Sequence, residues 1–157
     1  LRSLVGSEMC IRDSLYSRSR AEGFGDEVKK RILIGTFCLS AGYYDAYYIK
    51  AQKIRNLIKE SFLNAFKEVS SIAMPTCANV SFKLNSIQSP VEMYEQDIYT
   101  IPANLAGLPA MSVPSGKINN LPLGIQFIGN YLKEGVILNI ANKFQELTDF
   151  HKQIWVK

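Results

Sequence analysis

The spacing of the apolar residues changes near residue 70, and no other feature of the sequence constrains the fold as much. Before this point, residues 45–69 repeat apolar residues at helical spacing, which predicts an amphipathic helix. Its apolar stripe consists of Ile54, Ile58, Phe62, Ala65, Phe66 and Val69. After this point, short apolar runs bounded by proline or glycine predict three strands, at residues 70–76, 110–114 and 123–129. The sequence therefore predicts that both helices and strands build the fold.

Three further helices are predicted, over residues 23–42, 91–97 and 134–148. The first begins with an acidic turn and is rich in apolar residues, which predicts a mostly buried helix that ends near Gly42. A break at Pro102 is expected to follow the second helix. The third has its apolar residues at Val136, Ile140, Phe144 and Leu147. Two helices followed by strands that alternate with helices are typical of an α/β layer architecture.

Four tyrosines surround a single aspartate between residues 43 and 48. On a helix, residues three and four apart share a face, so Tyr44, Tyr47 and Tyr48 are expected to form one edge. Their rings would be buried while their hydroxyls reach polar partners. Without further information, this pattern predicts a packed helix and not a binding site.

Composition narrows the class of protein. A chain of 157 residues with 47% hydrophobic content can bury one core, as a single domain or as a piece of a larger one. The net charge of +4 is spread along the chain, which favours a solvated surface over a nucleic-acid groove. The cysteines, Cys10, Cys38 and Cys77, have no CxxC spacing, which indicates a reducing compartment without a disulfide framework or zinc site. The sequence contains no apolar run long enough for a bilayer, so we interpret the chain as soluble and intracellular.

The sequence offers few catalytic residues. His151 is the single histidine, so a Ser/His/Asp triad or a histidine-ligated metal would depend on one imidazole near the end of the sequence. Neither a phosphate-binding glycine loop nor a GxSxG motif occurs. Asp45, Asp97 and Asp149 are each compatible with a helix cap or a solvated surface. From composition and spacing alone, the sequence predicts no more than that the chain is an intracellular α/β domain or part of one.

A resemblance extends this prediction. The segment EGFGDEVKKRILIGTFCLSAGYYDAYYIKAQKIR is followed in order by MPT, MYEQDIYTIPANLAGLPAMSVPSG and LPLGIQFIGNYLKE. These blocks closely resemble the C-terminal third of the A subunits of glutamyl-tRNA(Gln) amidotransferases, within the amidase signature family. The resemblance covers about residues 15–150, and GYYDAYY with the lysine-rich helix after it is its most specific part. It implies the C-terminal part of the amidase signature α/β/α fold, in which helices flank a mixed central sheet that is incomplete in this chain.

The family resemblance implies a glutaminase. Family members hydrolyse glutamine with a Ser-cisSer-Lys triad and pass ammonia to a B subunit. With ATP and magnesium, that subunit converts Glu-tRNA(Gln) to Gln-tRNA(Gln) and makes most of the tRNA contacts. A small C subunit joins the pair, and the complex acts in the bacterial cytoplasm or an organelle matrix, away from membranes. Because the triad lies upstream of the matching region, we expect this chain to have no cofactor of its own and no activity alone.

Two residues match the glutamine-binding positions of the family. Arg31, in EVKKRI, matches the arginine that holds the substrate α-carboxylate, and Asp97, in MYEQDI, matches the carboxylate that binds the α-ammonium. Lys30 departs from the usual KRR pattern and leaves Arg31 intact. A guanidinium forms two hydrogen bonds with a carboxylate, and an aspartate pairs with an ammonium group. The structural alternatives are that Arg31 pairs with a carboxylate of the protein and that Asp97 caps the following turn.

The same resemblance gives the tyrosines a role. We interpret Tyr44, Tyr47 and Tyr48 as a hydrogen-bonded wall that supports the glutamine pocket, with Asp45 as an internal acceptor. Two other functions stay open: an amidase signature hydrolase that acts on another amide, and a non-enzymatic binding module that uses the aromatic helix as its interface.

The first fourteen residues do not match the family. The segment VGSEMCIRDS resembles a translated sequencing adapter, so we predict that residues 1–14 are an artefactual leader and that residues 15–157 are the C-terminal portion of an amidase signature domain. The alternative is a genuine short extension, disordered or weakly helical. In either case, the isolated chain is expected to expose faces that normally pack on a missing sheet, with poor solubility or partial folding as the result.

Overall fold

The computed structural model describes residues 14–84, 86 and 89–153, and the chain divides into two compact units between Gln52 and Lys53. The predicted leader lies outside the described residues except for Ser14, and Cys10 lies outside them entirely. The division into a leader and a family domain therefore stays a prediction.

The first unit is helical throughout its regular structure. After helical residues 14–23, helix α1 spans Asp26–Cys38, and its acidic first turn places negative charge at the positive end of the helix dipole. A π-helix follows at Tyr44–Ile49 and continues directly into helix α2, Lys50–Ala65, which enters the second unit. The predicted end near Gly42 is four residues too late, because α1 ends at Cys38. Gly42 instead lies in the connecting turn, where its φ of 88° favours glycine.

The prediction that α1 is mostly buried is wrong. Its large apolar side chains are about half exposed or more, including Val28 at 46% and Leu33 at 69%. A helix with apolar residues on most sides is buried only when other elements surround it. No residue from 14 to 52 is buried, so the described residues of this unit do not provide that cover.

The second unit contains a three-stranded sheet in the order β1-β3-β2, with strands β1 Ser71–Pro75, β2 Ala110–Ile118 and β3 Leu121–Gly129. This confirms the three predicted strands. Both pairings in this sheet are antiparallel, so the described residues do not include the parallel pair that a mixed sheet needs. A two-residue turn joins β2 to β3, in which Asn119 and Asn120 both adopt positive φ, the geometry of a tight hairpin.

Two prolines do not end elements as predicted. Helix α3 spans Pro90–Glu95, and helix α4, Ile101–Ala106, contains Pro102 in its first turn. Proline is accepted there because the first backbone N–H groups of a helix have no intrahelical partner. Strand β2 likewise continues through Pro114, beside a bulge between Pro114 and Gly116. An edge strand with a bulge does not need every N–H group for pairing.

Helices cover both faces of the sheet, which confirms the α/β class. On one face, Phe66 at the end of α2 and Ala103 and Ala106 of α4 pack with Ile128 of β3. On the other face, helix α5, Glu134–Leu147, packs its Ile137 and Ala141 against β2 and β3. The helix at residues 134–148 is thus confirmed, but its buried face is centred one residue away from the predicted one. Leu147 is 84% exposed.

Candidate functional site

The best-defined part of the site is the turn between α3 and α4, residues 96–100, which we call the Asp97 turn. Helix α3 leads into it with a capping box, in which the N–H group of Val91 donates to Ser89 Oγ over 3.2 Å. Within the turn, the backbone carbonyl of Asp97 accepts hydrogen bonds from Thr100 N at 3.1 Å and Ile101 N at 3.0 Å. Backbone hydrogen bonds therefore hold the main chain that carries Asp97.

The Asp97 side chain is exposed and does not act as a cap. The residue at the cap position of α4, Thr100, makes no side-chain cap hydrogen bond, and Asp97 contributes only backbone groups to the turn. No hydrogen bond or ion pair engages its carboxylate within the part of the chain that the structure describes. The capping alternative is therefore wrong for the side chain, and the carboxylate can accept a ligand.

A buried glutamine lies beneath the Asp97 turn. Gln126 of β3 is 3% exposed, and its Nε2 donates to the carbonyl of Tyr99 over 2.8 Å and to that of Pro75 over 3.2 Å. This residue is not among those predicted from the sequence. The available signal was a glutamine inside the apolar run LGIQFIG, because a buried amide requires hydrogen-bond partners.

A groove opens beside the turn. Its volume is about 880 Å³, and its walls come from the end of β1, the segment after it and the β2–β3 pair, with Gln96 of the Asp97 turn among the lining residues. At its floor, Thr76 Oγ1 and Ser112 Oγ are 2.7 Å apart and share a hydrogen bond. Gly124 makes room for this pair, because a Cβ at that position would lie 2.8 Å from Thr76 Oγ1. The groove is thus largely apolar with a few polar lining residues, as is common for small-molecule sites.

Arg31 lies on α1, in the first unit. Its Nε donates to Glu27 Oε1 over 3.0 Å, and the side chains are 62% and 57% exposed, so the predicted pairing with a carboxylate of the protein does occur. An exposed pair of this kind contributes only about 0–1 kcal/mol and can be exchanged for a ligand carboxylate. Because Arg31 and Asp97 belong to different units, their convergence on one glutamine stays a prediction.

The tyrosines form two ring pairs, one stacked and one tilted. The rings of Tyr44 and Tyr48 lie 5.0 Å apart and those of Tyr43 and Tyr47 lie 5.8 Å apart. The expected single edge of Tyr44, Tyr47 and Tyr48 is only partly formed, because Tyr48 stacks on Tyr44 whereas the ring of Tyr47 pairs with that of Tyr43. Both pairs keep the four-residue spacing that also pairs side chains on an α-helix. Tyr44 and Tyr47 are 42% and 56% exposed, so their rings are not buried. Asp45 is also exposed, and the role of this group as a supporting wall stays a prediction.

The described residues contain three other chemically active groups, Cys38, Cys77 and Asp149. Cys38 is half-buried and Cys77 is exposed, and both are free thiols. A hydrogen bond from Lys152 lowers the pKa of Asp149, which lies beyond the end of α5. Among the described residues, no group of three or more His, Cys, Asp or Glu could hold a metal ion. No helix in this part of the chain has the length and apolar character needed to cross a membrane.

Comparison with known proteins gives consistent matches. A sequence model of the amidase family matches residues 4–138. The glutamyl-tRNA(Gln) amidotransferase A subunit of Ectopseudomonas mendocina is 56% identical and that of Coxiella burnetii is 58% identical, each over 142 residues. These matches cover 90% of this chain and 29% of each relative, so the chain spans less than a third of their length. The crystal structure of the corresponding protein from Thermotoga maritima superposes with a TM-score of 0.65 and 46% identity, over 83% of this chain and 29% of that one.

Proposed function

Because the chain belongs to the amidase family, we propose that it is the part of a glutamyl-tRNA(Gln) amidotransferase A subunit that holds glutamine for hydrolysis. The observation that supports this proposal most is the 56–58% identity to such subunits over 142 residues. The exposed Asp97 carboxylate, on a turn held by backbone hydrogen bonds, fits a role in ligand binding. The proposal concerns the longer protein to which this sequence corresponds.

In this proposal, Arg31 and Asp97 recognise the two charged groups of a free amino acid. The Arg31 guanidinium binds the α-carboxylate of glutamine with two parallel hydrogen bonds, and its exposed pairing with Glu27 is exchanged on binding. Asp97 pairs with the α-ammonium group. Together they select glutamine over a simple amide, which carries neither charge, and the paired tyrosines after α1 support the Arg31 side of the pocket.

The catalytic groups are proposed to come from outside this chain. The Ser-cisSer-Lys triad of the family would lie in the remaining part of the full-length protein. A B subunit would use the ammonia, with ATP and magnesium, to convert Glu-tRNA(Gln) to Gln-tRNA(Gln), and a C subunit would join the two. The names of the relatives, which describe one component of an amidotransferase, support the existence of partner subunits. Such a complex would act where aminoacyl-tRNA is made, in the bacterial cytoplasm or an organelle matrix.

The exposed apolar surface of α1 also supports the proposal. Ile32, Leu33 and Ile34 are three consecutive residues of this helix, each between 49% and 69% exposed. Three consecutive residues face different sides of a helix, so cover is needed from several directions. We infer that other parts of the full-length protein provide this cover.

The test uses a chimeric protein, in which residues 15–157 of this chain replace the matching segment of the Ectopseudomonas mendocina relative. Asp97→Asn and Arg31→Lys should each raise the KM for glutamine by about tenfold or more, because each weakens one ionic contact with the substrate. Hydrolysis of a simple aliphatic amide should be unchanged. Asp149→Asn and Lys143→Gln are the matched controls, because they alter an exposed carboxylate and an exposed ion pair elsewhere.

The same experiment separates the alternative function. If both variants leave the glutamine KM unchanged and the chimera prefers aliphatic amides, the chain belongs to another amide hydrolase of the family, and the assignment of Arg31 and Asp97 is incorrect.

A further inference from the structure

We propose that Gln126 is a positioning residue that fastens the Asp97 turn to the sheet and thereby sets the place of the Asp97 carboxylate. This inference rests on the proposed function, because it concerns the same glutamine site. It adds a residue that does not touch the substrate and acts through the main chain of the turn.

The geometry of Gln126 joins three parts of the second unit. Its side chain projects from the middle of β3, on the same face of the sheet as Ile128. The Nε2 atom donates to the carbonyl of Pro75 at the end of β1 over 3.2 Å and to that of Tyr99 in the Asp97 turn over 2.8 Å. One primary amide has two N–H groups, so it can serve both carbonyls only when they lie at a fixed separation.

This contact attaches the turn to the sheet directly, in addition to the packing of the following helix, α4, on Ile128. The other hydrogen bonds of the turn are local: Asp97 O accepts from Thr100 and Ile101, and Thr100 O accepts from Asn104 Nδ2 over 2.9 Å. These bonds shape the turn and attach it to α4. Among the described residues, the bond from Gln126 is the one side-chain hydrogen bond that connects the turn with the sheet.

Burial makes the contact selective for glutamine. Gln126 is 3% exposed, so water does not readily replace a lost donor. A methionine at this position has nearly the same shape but leaves both carbonyls without their N–H partner. A glutamate would place a carboxylate against two carbonyl oxygens. Either change releases Tyr99, two residues from Asp97, while the apolar cores on the two faces of the sheet keep their side chains.

The consequence for glutamine is a loss of affinity and not of chemistry. The attraction between the Asp97 carboxylate and a substrate ammonium depends on their separation, so a turn that moves weakens it. This contact is made equally in the bound substrate and in the transition state, because the ammonium group does not react. Its loss therefore raises KM and leaves kcat nearly unchanged.

The first experiment measures hydrogen exchange in the chimeric protein and needs no glutamine. In Gln126→Met, the amides of Asp97, Thr100 and Ile101 should exchange at least about tenfold faster, with a smaller change across β2 and β3. Ser71→Ala is the matched control, because it removes a side-chain hydrogen bond to the carbonyl of Ile128 that does not involve the turn. The control should leave the turn amides unchanged.

Gln126→Asn provides a second variant, because it keeps an amide that is one methylene too short to reach both carbonyls. It should reproduce the faster exchange of the turn. An equal increase throughout the sheet and the turn would overturn the proposal, because Gln126 would then stabilise the core in general. Failure of both variants to fold, while Ser71→Ala folds, would overturn it for the same reason.

The second experiment measures kinetics in the chimeric protein. Gln126→Met should raise the glutamine KM about tenfold with kcat within about a factor of two, and the turnover of an aliphatic amide should not change. If Asp97→Asn raises KM but Gln126→Met does not, the positioning role is wrong and the proposed function stands. If Asp97→Asn has no effect on KM, the proposed function is wrong, and the positioning role of Gln126 is then wrong as well.

Discussion

Gly124→Ala should break the hydroxyl pair at the floor of the groove. A Cβ at this position would lie 2.8 Å from Thr76 Oγ1 and 3.1 Å from Ser112 Oγ, and the first distance is shorter than real side chains tolerate. Thr76 must therefore move, and its 2.7 Å hydrogen bond to Ser112 is lost. The lost bond costs about 0.5–1.5 kcal/mol. The overpacking costs about 1–3 kcal/mol.

One effect opposes this loss. Replacing glycine by alanine restricts the unfolded chain and stabilises the folded state by about 0.4–1 kcal/mol where the backbone permits. The net expectation is that the free energy of opening of the β2–β3 hairpin falls by about 0.5–4 kcal/mol. Hydrogen exchange of the hairpin amides in the chimeric protein measures this quantity directly.

A double-mutant cycle with Thr76→Ala tests the stated cause. Thr76→Ala removes the nearest atom and the hydrogen bond, so adding Gly124→Ala to it should cost less than about 1 kcal/mol. The two changes should then be coupled, so that Gly124→Ala costs more free energy in the presence of Thr76 than in its absence. The reasoning is refuted if Gly124→Ala costs the same with and without Thr76, or if Gly124→Ala alone has no effect on hairpin exchange.

Three further predictions follow from the structure. Ile128→Ala should lower the opening free energy of the sheet amides by about 2–5 kcal/mol, because Ile128 is fully buried, and exchange within about 1 kcal/mol of the unmodified chain would contradict its place in the core. Lys152→Gln should raise the pKa of Asp149 toward its ordinary value of 3.8, because the hydrogen bond from Lys152 is the main cause of the lowered pKa. The stabilisation of the folded chain by this contact is present above pH 3.8 and is lost as the pH falls through the lowered pKa. NMR titration measures the pKa, and an unchanged value in the variant would contradict the stated cause. The 157-residue chain alone should release no ammonia from glutamine in a coupled assay, since the catalytic triad is proposed to lie elsewhere, and release that survives Arg31→Lys and Asp97→Asn would contradict the assignment of the site.

Local patterns predicted the elements of the fold well. The structure confirms the helix at residues 134–148 and the strand at residues 123–129. Both were predictable because the spacing of apolar residues within each segment already indicates its type of secondary structure. The ends of elements were less predictable. Pro102 and Pro114 were interpreted as breaks, but proline is accepted in a first helical turn and in an edge strand, and neither context is visible in the local sequence.

The periodicity of apolar residues was not enough to predict which helix is buried or which residues form the candidate site. The apolar residues of α1 predicted a buried helix, but burial depends on which elements surround it, and Leu33 is 69% exposed. Arg31 and Asp97 were singled out only through the family resemblance, because one arginine and one aspartate are common surface residues. Gln126 could have been found from its position in an apolar strand. Its two carbonyl partners, 27 and 51 residues away in sequence, could not.

The central claim is that this chain serves an amidotransferase that uses glutamine. The most direct measurement is the conversion of Glu-tRNA(Gln) to Gln-tRNA(Gln) by the chimeric protein, combined with the B and C subunits of Ectopseudomonas mendocina, ATP and magnesium. We predict that the chimeric protein supports conversion with glutamine as the nitrogen donor. We also predict that the Asp97→Asn and Arg31→Lys double variant loses this conversion at low glutamine concentration. Conversion with added ammonium but not with glutamine would contradict the central claim, because the segment would then fail to support glutamine hydrolysis.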